Sequence, residues 1–260
     1  GVPQDYGQAI FWFRKAANRG DALAQYYLGQ AYLQGLGVTR SASQAAEWYR
    51  KSADQGQATA QSDLGALYAR GWGVPQDFGQ AADWYRKAAA QGYAGGQTNL
   101  GDLYANGQGV AQDLDQAVDL YRKAADQGYA LAQHNLAVLY AEGRGLARDY
   151  AQSSALFRKS AEQGNAAAQF GLGLHYARGL GVAQDYGQAA VWYRKAADQG
   201  HAGAQTNLGV LYRNGQGVAR DYDQAAAWLG RAAAQGDADG QNSLGTLYAD
   251  GLGVEQGYGR

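Results

Sequence analysis

The sequence predicts an all-α solenoid of seven 36-residue helix-turn-helix repeats, and three periodic features carry that expectation. Glycines recur at Gly20, Gly56, Gly92, Gly128, Gly164, Gly200 and Gly236. Tyrosines keep the same spacing through Tyr32, Tyr68, Tyr104, Tyr140, Tyr176, Tyr212 and Tyr248. A G-x-G-[VL] element also returns once per period, from Gly35 to Val38 through Gly251 to Val254. No insertion breaks the register, so residues 1–260 read as one array rather than as separate domains.

Each period divides into two helical patterns, A and B, separated by glycines. Helix A of the third repeat is expected from about Ala94 to Asn106, because Gly96, Leu100, Leu103, Tyr104 and Gly107 follow i, i+4, i+7, i+8, i+11 on one face. Helix B is announced by an acid or hydroxyl three residues before a glutamine: Asp5/Gln8, Ser41/Gln44, Asp77/Gln80, Asp113/Gln116, Asp149/Gln152, Asp185/Gln188 and Asp221/Gln224. This is the capping-box pattern, in which the first side chain accepts from an orphan backbone N–H and the glutamine reaches back to the cap. Further along, Tyr186, Ala189, Tyr193, Ala196 and Ala197 share a face, and Gly200 ends the helix in a left-handed conformation. The pairs Arg86/Lys87, Arg122/Lys123 and Arg194/Lys195 fall in the last turns, where cations complement the helix dipole.

Gly29, Gly65, Gly101, Gly173, Gly209 and Gly245 stand inside helix A, where glycine costs about 1 kcal/mol relative to alanine. Ala137 takes that place in the fourth repeat, so the position demands a small residue rather than an unusual backbone. A neighbouring helix must pass close by. On this reading Gly101→Leu costs roughly 1–3 kcal/mol or more, while Gly101→Ala is nearly neutral.

The composition excludes several function classes. Lys plus Arg is 22 against 23 for Asp plus Glu, a net charge of −1, which provides no basic surface for nucleic acid. With no cysteine there are no disulfides, thiolate metal sites or cysteine nucleophile. No apolar run approaches the ~20 residues of a spanning helix, so direct membrane insertion is not expected.

The stretch Ala58–Gly92 reads A-x-A-Q-x-x-L-G-x-L-Y-x-x-G-x-G-V-x-x-D-x-x-Q-A-x-x-W-Y-R-K-A-A-x-Q-G and closely resembles the Sel-one-like repeat, a relative of the tetratricopeptide repeat. The resemblance covers essentially the whole chain. It implies a right-handed superhelix of antiparallel helix pairs, with A helices lining a concave face and B helices outside. It also implies an adaptor role in signalling, envelope assembly or host interaction, in a bacterial protein that is periplasmic or secreted rather than cytoplasmic. One branch of the family staples each repeat with a disulfide; this sequence lacks every cysteine such a staple needs.

Catalytic motifs are missing. His134, His175 and His201 fall at three different repeat positions, with no H-E-x-x-H and no carboxylates at ligand spacing. His175 replaces Leu67, Leu103, Leu139, Leu211 and Leu247 and is expected to pack, whereas His201 is expected to be solvated. Trp12, Trp48, Trp84, Trp192 and Trp228 share one repeat position and read as core; Trp72 lies alone in a glycine connector. Asp237-x-Asp239-Gly240 lacks the later ligands of a calcium loop and reads as a helix start. No cofactor or metal is expected.

Comparing repeats within the chain separates positions that must pack from positions that vary. The varying set on helix A is Leu23, Tyr26, Tyr27, Gln30, then Thr59, Ser62, Asp63, Ala66, then Gly95, Thr98, Asn99, Asp102, then Leu131, His134, Asn135, Val138. It continues as Ala167, Phe170, Gly171, Leu174, then Gly203, Thr206, Asn207, Val210, then Asp239, Asn242, Ser243, Thr246. Spacing of i, i+3, i+4, i+7 puts each group on one face, and stacking joins the faces into a continuous, varied surface. The candidate partner-binding residues are Tyr26, Tyr27, Gln30, Ser62, Asp63, Asn99, Asp102, His134, Asn135, Phe170, Leu174 and Asn207. The function expected is a non-enzymatic scaffold that binds a protein or peptide. The alternatives are an inhibitor or immunity-type protein that blocks one enzyme, and an enzyme with an unrecognised site. Because the chain opens on an unpaired B helix and stops after an A helix, continuation of the protein or end-to-end self-association is also expected.

Overall fold

A computed structural model describes residues 5–252, which form fourteen α-helices and, among the described residues, no strand. The B helices are α1 (Tyr6–Ala17), α3 (Ala42–Asp54), α5 (Phe78–Ala90), α7 (Leu114–Asp126), α9 (Tyr150–Glu162), α11 (Tyr186–Asp198) and α13 (Tyr222–Ala234). The A helices are α2 (Ala22–Gln34), α4 (Ala58–Arg70), α6 (Ala94–Asn106), α8 (Ala130–Glu142), α10 (Ala166–Arg178), α12 (Ala202–Asn214) and α14 (Ala238–Asp250). The third A helix has the bounds that its periodicity predicts. The last copy of the G-x-G-[VL] element, Gly251 to Val254, ends outside the described residues.

The helices gather into two compact units, residues 1–132 and 133–260, divided within α8. In the first, α2 packs on α3, α4 on α5 and α6 on α7, and the A helices α4 and α6 also touch. The second pairs α10 with α11 and α12 with α13, and brings α14 against α12. This is a solenoid of helical hairpins. The tryptophans close it: Trp84 of α5 joins Leu64 and Leu67 of α4 and Tyr49 of α3, and Trp228 of α13 joins Leu208 and Leu211 of α12 and Tyr193 of α11. Trp12 departs from the expected core role and is 60% exposed, because no described helix precedes α1 to receive it.

Only half of the capping box forms. Each cap side chain accepts from the glutamine N–H three residues on, as Asp77 does from Gln80 at 2.9 Å and Asp185 from Gln188 at 2.9 Å. The glutamine side chain has no cap N–H to meet, since that donor is already used. Ser41 N–H donates to the Tyr32 carbonyl at 2.8 Å, Asp77 to Tyr68 at 3.0 Å and Asp185 to Tyr176 at 2.9 Å. The periodic tyrosine therefore fixes the start of the next B helix through its backbone. Its hydroxyl holds the end of the preceding B helix, accepting from Arg14 at 3.0 Å in Tyr32, from Arg158 at 2.5 Å in Tyr176, and from Arg50 and Arg194 in Tyr68 and Tyr212. These arginines thus do more than complement the dipole. Arg86 is an exception and turns to Asp83 at 2.6 Å.

Four of the six mid-helix glycines face rings, whereas Gly209 faces Leu229 and Gly245 has nothing within 4 Å of its would-be Cβ. A Cβ at Gly29 would lie 2.4 Å from the Tyr49 ring, at Gly65 2.7 Å from Tyr85, at Gly101 2.7 Å from Tyr121 and at Gly173 2.6 Å from Tyr193. Such separations are too short for real Cβ contacts, so a methyl group at Gly101 must displace a buried ring, and the near-neutral outcome expected for Gly101→Ala becomes the upper bound of a range that runs to a net loss. Ala137 escapes by compensation. Its neighbour Phe157 lies instead against Gly171 of α10, where a Cβ would come within 2.9 Å of the ring, and other repeats have Asp63, Asn99 or Asn207 there.

A polar ladder inside this apolar packing was not foreseen. Gln25 Nε2 donates to the Ala17 carbonyl at the end of α1 at 3.2 Å, and Gln25 Oε1 accepts from Gln55 after α3 at 2.8 Å. The rung recurs at 2.8 Å for Gln91 to Gln61, Gln127 to Gln97, Gln163 to Gln133, Gln199 to Gln169 and Gln235 to Gln205. The A-helix members from Gln25 to Gln205 are buried, and a buried amide is tolerable only when both its donor and its acceptor are used.

Candidate protein-interaction surface

The varying face of the A helices divides by depth. Leu23, Tyr27 and Leu131 are exposed, at 47%, 38% and 38%. Tyr26, Gln30, Asp63, Asn99, Asp102, His134, Asn135, Phe170, Leu174 and Asn207 are half-buried, whereas Ser62 is buried and its hydroxyl accepts from Asn99 Nδ2 at 3.4 Å. Ser62 is therefore a support for Asn99 rather than a contact residue.

In the first unit the candidate residues meet around tyrosine rings. Tyr27 stacks on Phe13 at 5.0 Å, and Tyr26 lies 5.7 Å from both Tyr27 and Tyr49. The Tyr26 hydroxyl accepts from Gln30 Nε2 at 2.7 Å. It also lies close enough to Asp63 to steady that carboxylate's charge, which in turn opposes ionisation of Tyr26. Burial pushes Asp63 above the usual carboxylate range, and the Tyr26 hydrogen bond only partly offsets it. Burial likewise raises Tyr49 and Tyr93, and carries Tyr85 to about 12. One helix further, Tyr121 donates to Asp102 Oδ1 at 2.6 Å.

In the second unit the candidates form a ring cluster. Phe170 stacks on His201 at 4.5 Å and lies 5.9 Å from Tyr193; His134 lies 5.6 Å from Phe157. His201 is thus packed rather than solvated, and its Nδ1 caps α12 by accepting from Ala204 N–H at 3.2 Å. Burial lowers both His134 and His201, so both imidazoles favour the neutral form. The Nδ1 of His134 is buried without a hydrogen-bond partner. Tyr193, raised to about 12 by burial, is hydrogen-bonded to Asn207. Asp237 caps α14 through Gly240 N–H at 2.7 Å and accepts from Thr206 Oγ1 at 2.8 Å. Trp72 stays 45% exposed beneath Arg70, whose guanidinium lies 4.9 Å from the ring centroid.

His175 packs, as expected, but with a partner the sequence reading missed. Its Nδ1 meets Ser154 Oγ at 2.7 Å, and Ser154 Oγ donates to the Leu180 carbonyl at 2.7 Å. One hydroxyl proton cannot serve both, so Nδ1 carries the imidazole proton and donates to Ser154. The serine is buried and its proton faces a backbone carbonyl, an arrangement unsuited to a nucleophile. Ser154→Ala alone is expected to cost about 1–3 kcal/mol by orphaning a buried N–H. Adding His175→Leu recreates the alanine–leucine pair of Ala82 and Leu103, and should recover most of that loss in urea melts. Additive losses in the double variant would show that the two side chains are not coupled.

The Sel1 repeat model matches the chain over residues 1–21, 22–57, 58–93, 94–129, 130–165, 166–201, 202–237 and 238–260, with the later segments opening on the A helices; the chain belongs to the Sel1-repeat family. The structure is similar to that of c5321, a protective antigen of uropathogenic Escherichia coli strains displaying an SLR fold, at 39% identity and a TM-score of 0.83 over 98% of this chain and 55% of that one. This chain therefore spans about half the length of that protein. It is also similar to a Sel1 repeat protein from Oxalobacter formigenes, at 32% identity and a TM-score of 0.80, covering 87% of this chain and 91% of that one. The immunity protein Pa5087 from Pseudomonas aeruginosa is more distant, at 25% identity and a TM-score of 0.52, covering 92% and 85%. The chain matches no curated protein. Sel1-repeat folds generally mediate protein–protein interaction and are typically non-enzymatic. No helix among the described residues is long and apolar enough to cross a membrane.

Proposed function

We propose that this protein is a non-enzymatic scaffold that binds a protein or peptide along its A-helix side. The observation that supports this reading is the division of labour between repeat positions. Ladder glutamines, ring-facing glycines and capping acids recur with little change, while the A-helix face changes from repeat to repeat and leaves Leu23, Tyr27 and Leu131 exposed. Exposed large side chains beside hydrogen-bonding groups are the composition of interface anchors. The narrower reading, an inhibitor that occludes a single enzyme, draws support from the likeness to immunity protein Pa5087.

Affinity capture with the wild-type chain, and with Tyr27→Ser, Leu131→Ser and the outer-face control Asp119→Ala, tests the reading. Loss of an anchor should weaken capture of the partner by about tenfold or more, with Asp119→Ala unchanged. A partner lost with Asp119→Ala but kept by both A-face variants would place binding on the B helices. One dominant enzyme among the captured proteins would favour the inhibitor, and several unrelated components the scaffold.

A further inference from the structure

We propose that the outer face of α14 in one copy of this chain receives the outer face of α1 of a second copy, through the same contacts that join neighbouring hairpins. Three such contacts recur. A B-helix tryptophan enters the preceding hairpin, as Trp84 does beside Leu64 and Leu67. A B-helix ring lies against the mid-helix glycine of the preceding A helix, as Tyr49 does against Gly29. The glutamine after the B helix donates to the buried glutamine of that A helix, as Gln55 does to Gln25 at 2.8 Å. α1 and α14 hold opposite halves of all three, unmet among the described residues. Trp12 stands 60% exposed where Trp84, Trp192 and Trp228 are buried, and Leu244 is only half-buried where Leu28, Leu64, Leu172 and Leu208 are fully so. Gly245 has nothing within 4 Å of its would-be Cβ, and Phe13 is the residue of α1 at the ring position. Gln241 Nε2 donates to the Ala233 carbonyl at 3.3 Å, but its Oε1 has no donor; Arg19, a donor, stands after α1 where Gln55 stands after α3.

The seat on α1 is a groove of about 170 Å³ lined by Ala9, Ile10, Phe13, Tyr27 and Ala31. In the next hairpin the equivalents of its α1 wall, Ala45, Ala46 and Tyr49, are covered by Tyr32 and Leu33 of the A helix α2. An A helix of this repeat therefore fits the groove, and α14 is one whose outer face is bare. Phe11, 50% exposed and edge-on to Trp12 at 5.2 Å, widens the apolar patch, and paired exposed aromatics are the usual mark of an interface anchor. Charge selects the pairing. α1 carries Arg14 and Lys15 with no acid and is followed by Arg19, whereas α14 carries Asp239 and Asp250 with no cation. Docking α1 on α14 sets Arg19 at the start of α14, near Asp239. Two α1 faces would instead bring cations together, and two α14 faces acids, so the contact joins unlike faces. Each pair then keeps one free face of each kind.

Sedimentation velocity of the 260-residue chain tests this. Association should grow with concentration from the micromolar to the submillimolar range and weaken as salt is added. Two variants each block one face: Trp12→Ser removes the anchor of α1, and Gly245→Leu fills the gap on α14 that Phe13 would enter. Trp12 is exposed and the space beside Gly245 is open, so neither should lower the melting transition. Alone, each variant should associate on the order of tenfold more weakly or worse. Mixed in equal amounts, they should pair with wild-type affinity and stop at dimers, because the sound α1 face of Gly245→Leu meets the sound α14 face of Trp12→Ser and the other two faces are blocked. A wild-type chain that stays monomeric overturns the proposal. So does a mixture of folded variants that fails to pair, or association that Trp12→Ser abolishes and Gly245→Leu leaves intact, which would mean that α1 meets α1 or an unrelated surface. Should either variant fold poorly, Arg19→Glu, at an exposed position, decides in its place: weaker association at low salt supports the contact, and unchanged association overturns it.

Discussion

Gly73→Ala should destabilise the first unit by about 3–5 kcal/mol, although it adds a single methyl group. Two costs combine. The residue has φ +71°, a left-handed conformation that costs an L-residue about 1–2 kcal/mol. Its Cβ would also fall 2.2 Å from the Ala42 carbonyl carbon and 2.3 Å from its oxygen, at the first turn of α3. Backbone atoms of a capped helix start cannot swing aside as a side-chain tip can, so the whole connector must lift, at the upper end of the roughly 1–3 kcal/mol typical of overpacking. Gly56 isolates the first cost: its φ is +90°, but a Cβ there would meet nothing within 4 Å. Gly56→Ala should therefore lose only about 1–2 kcal/mol. Urea melts of the two variants check this, and equal losses would mean that the close approach of connector to helix contributes nothing.

At Gly101 the obstacle is a ring. Alanine brings about 1 kcal/mol of helix propensity, set against roughly 1–3 kcal/mol for pushing its Cβ into the buried Tyr121 ring, so the net change should be a loss or, at best, no gain. Leucine has no space at all, and Gly101→Leu should cost about 3 kcal/mol or more. Gly230, on α13, has nothing within 4 Å of its would-be Cβ, and Gly230→Ala should gain about 1 kcal/mol. If Gly101→Ala gained as much as Gly230→Ala, the ring would be yielding freely and the packing argument would fail.

Features that depend on near neighbours in the chain were legible from the sequence. Asp113 before Gln116 marks a helix start by local hydrogen-bond geometry, and Gly200 marks a stop through its backbone freedom, so both are found where the spacing puts them. The family resemblance, carried by the unbroken string from Ala58 to Gly92, was equally legible. What escaped were contacts between residues one hairpin apart. Gln61 stood constant in every repeat among leucines and alanines, and a constant polar residue at a packing position is a signal that it is buried with a partner; the rung to Gln91 follows from that. Ser154 and His175 depart from the repeat pattern together, the mark of a compensating pair. The exposure of Tyr27 against the burial of Ser62 depends on how far neighbouring A helices approach, which no single-helix periodicity contains.

The glutamine ladder has a consequence for how such a chain finds its fold. Each rung joins residues 30 apart, so sliding one helix along its neighbour by a turn breaks it, and translational slippage carries a penalty at every repeat. Leaving out a whole repeat carries none, because every A helix offers the same amide and every B helix after α1, which has Arg19 in that place, is followed by the same glutamine. A hairpin docked onto the wrong neighbour would satisfy the ladder as well as the right one does. Near-identical modules are exposed to this kind of misassembly. Protection must come from the irregularities: Ser154 answers only His175, and Phe157 is accommodated beside Ala137 by the glycine at 171. The residues that break the repeat are also those that set the order of its copies.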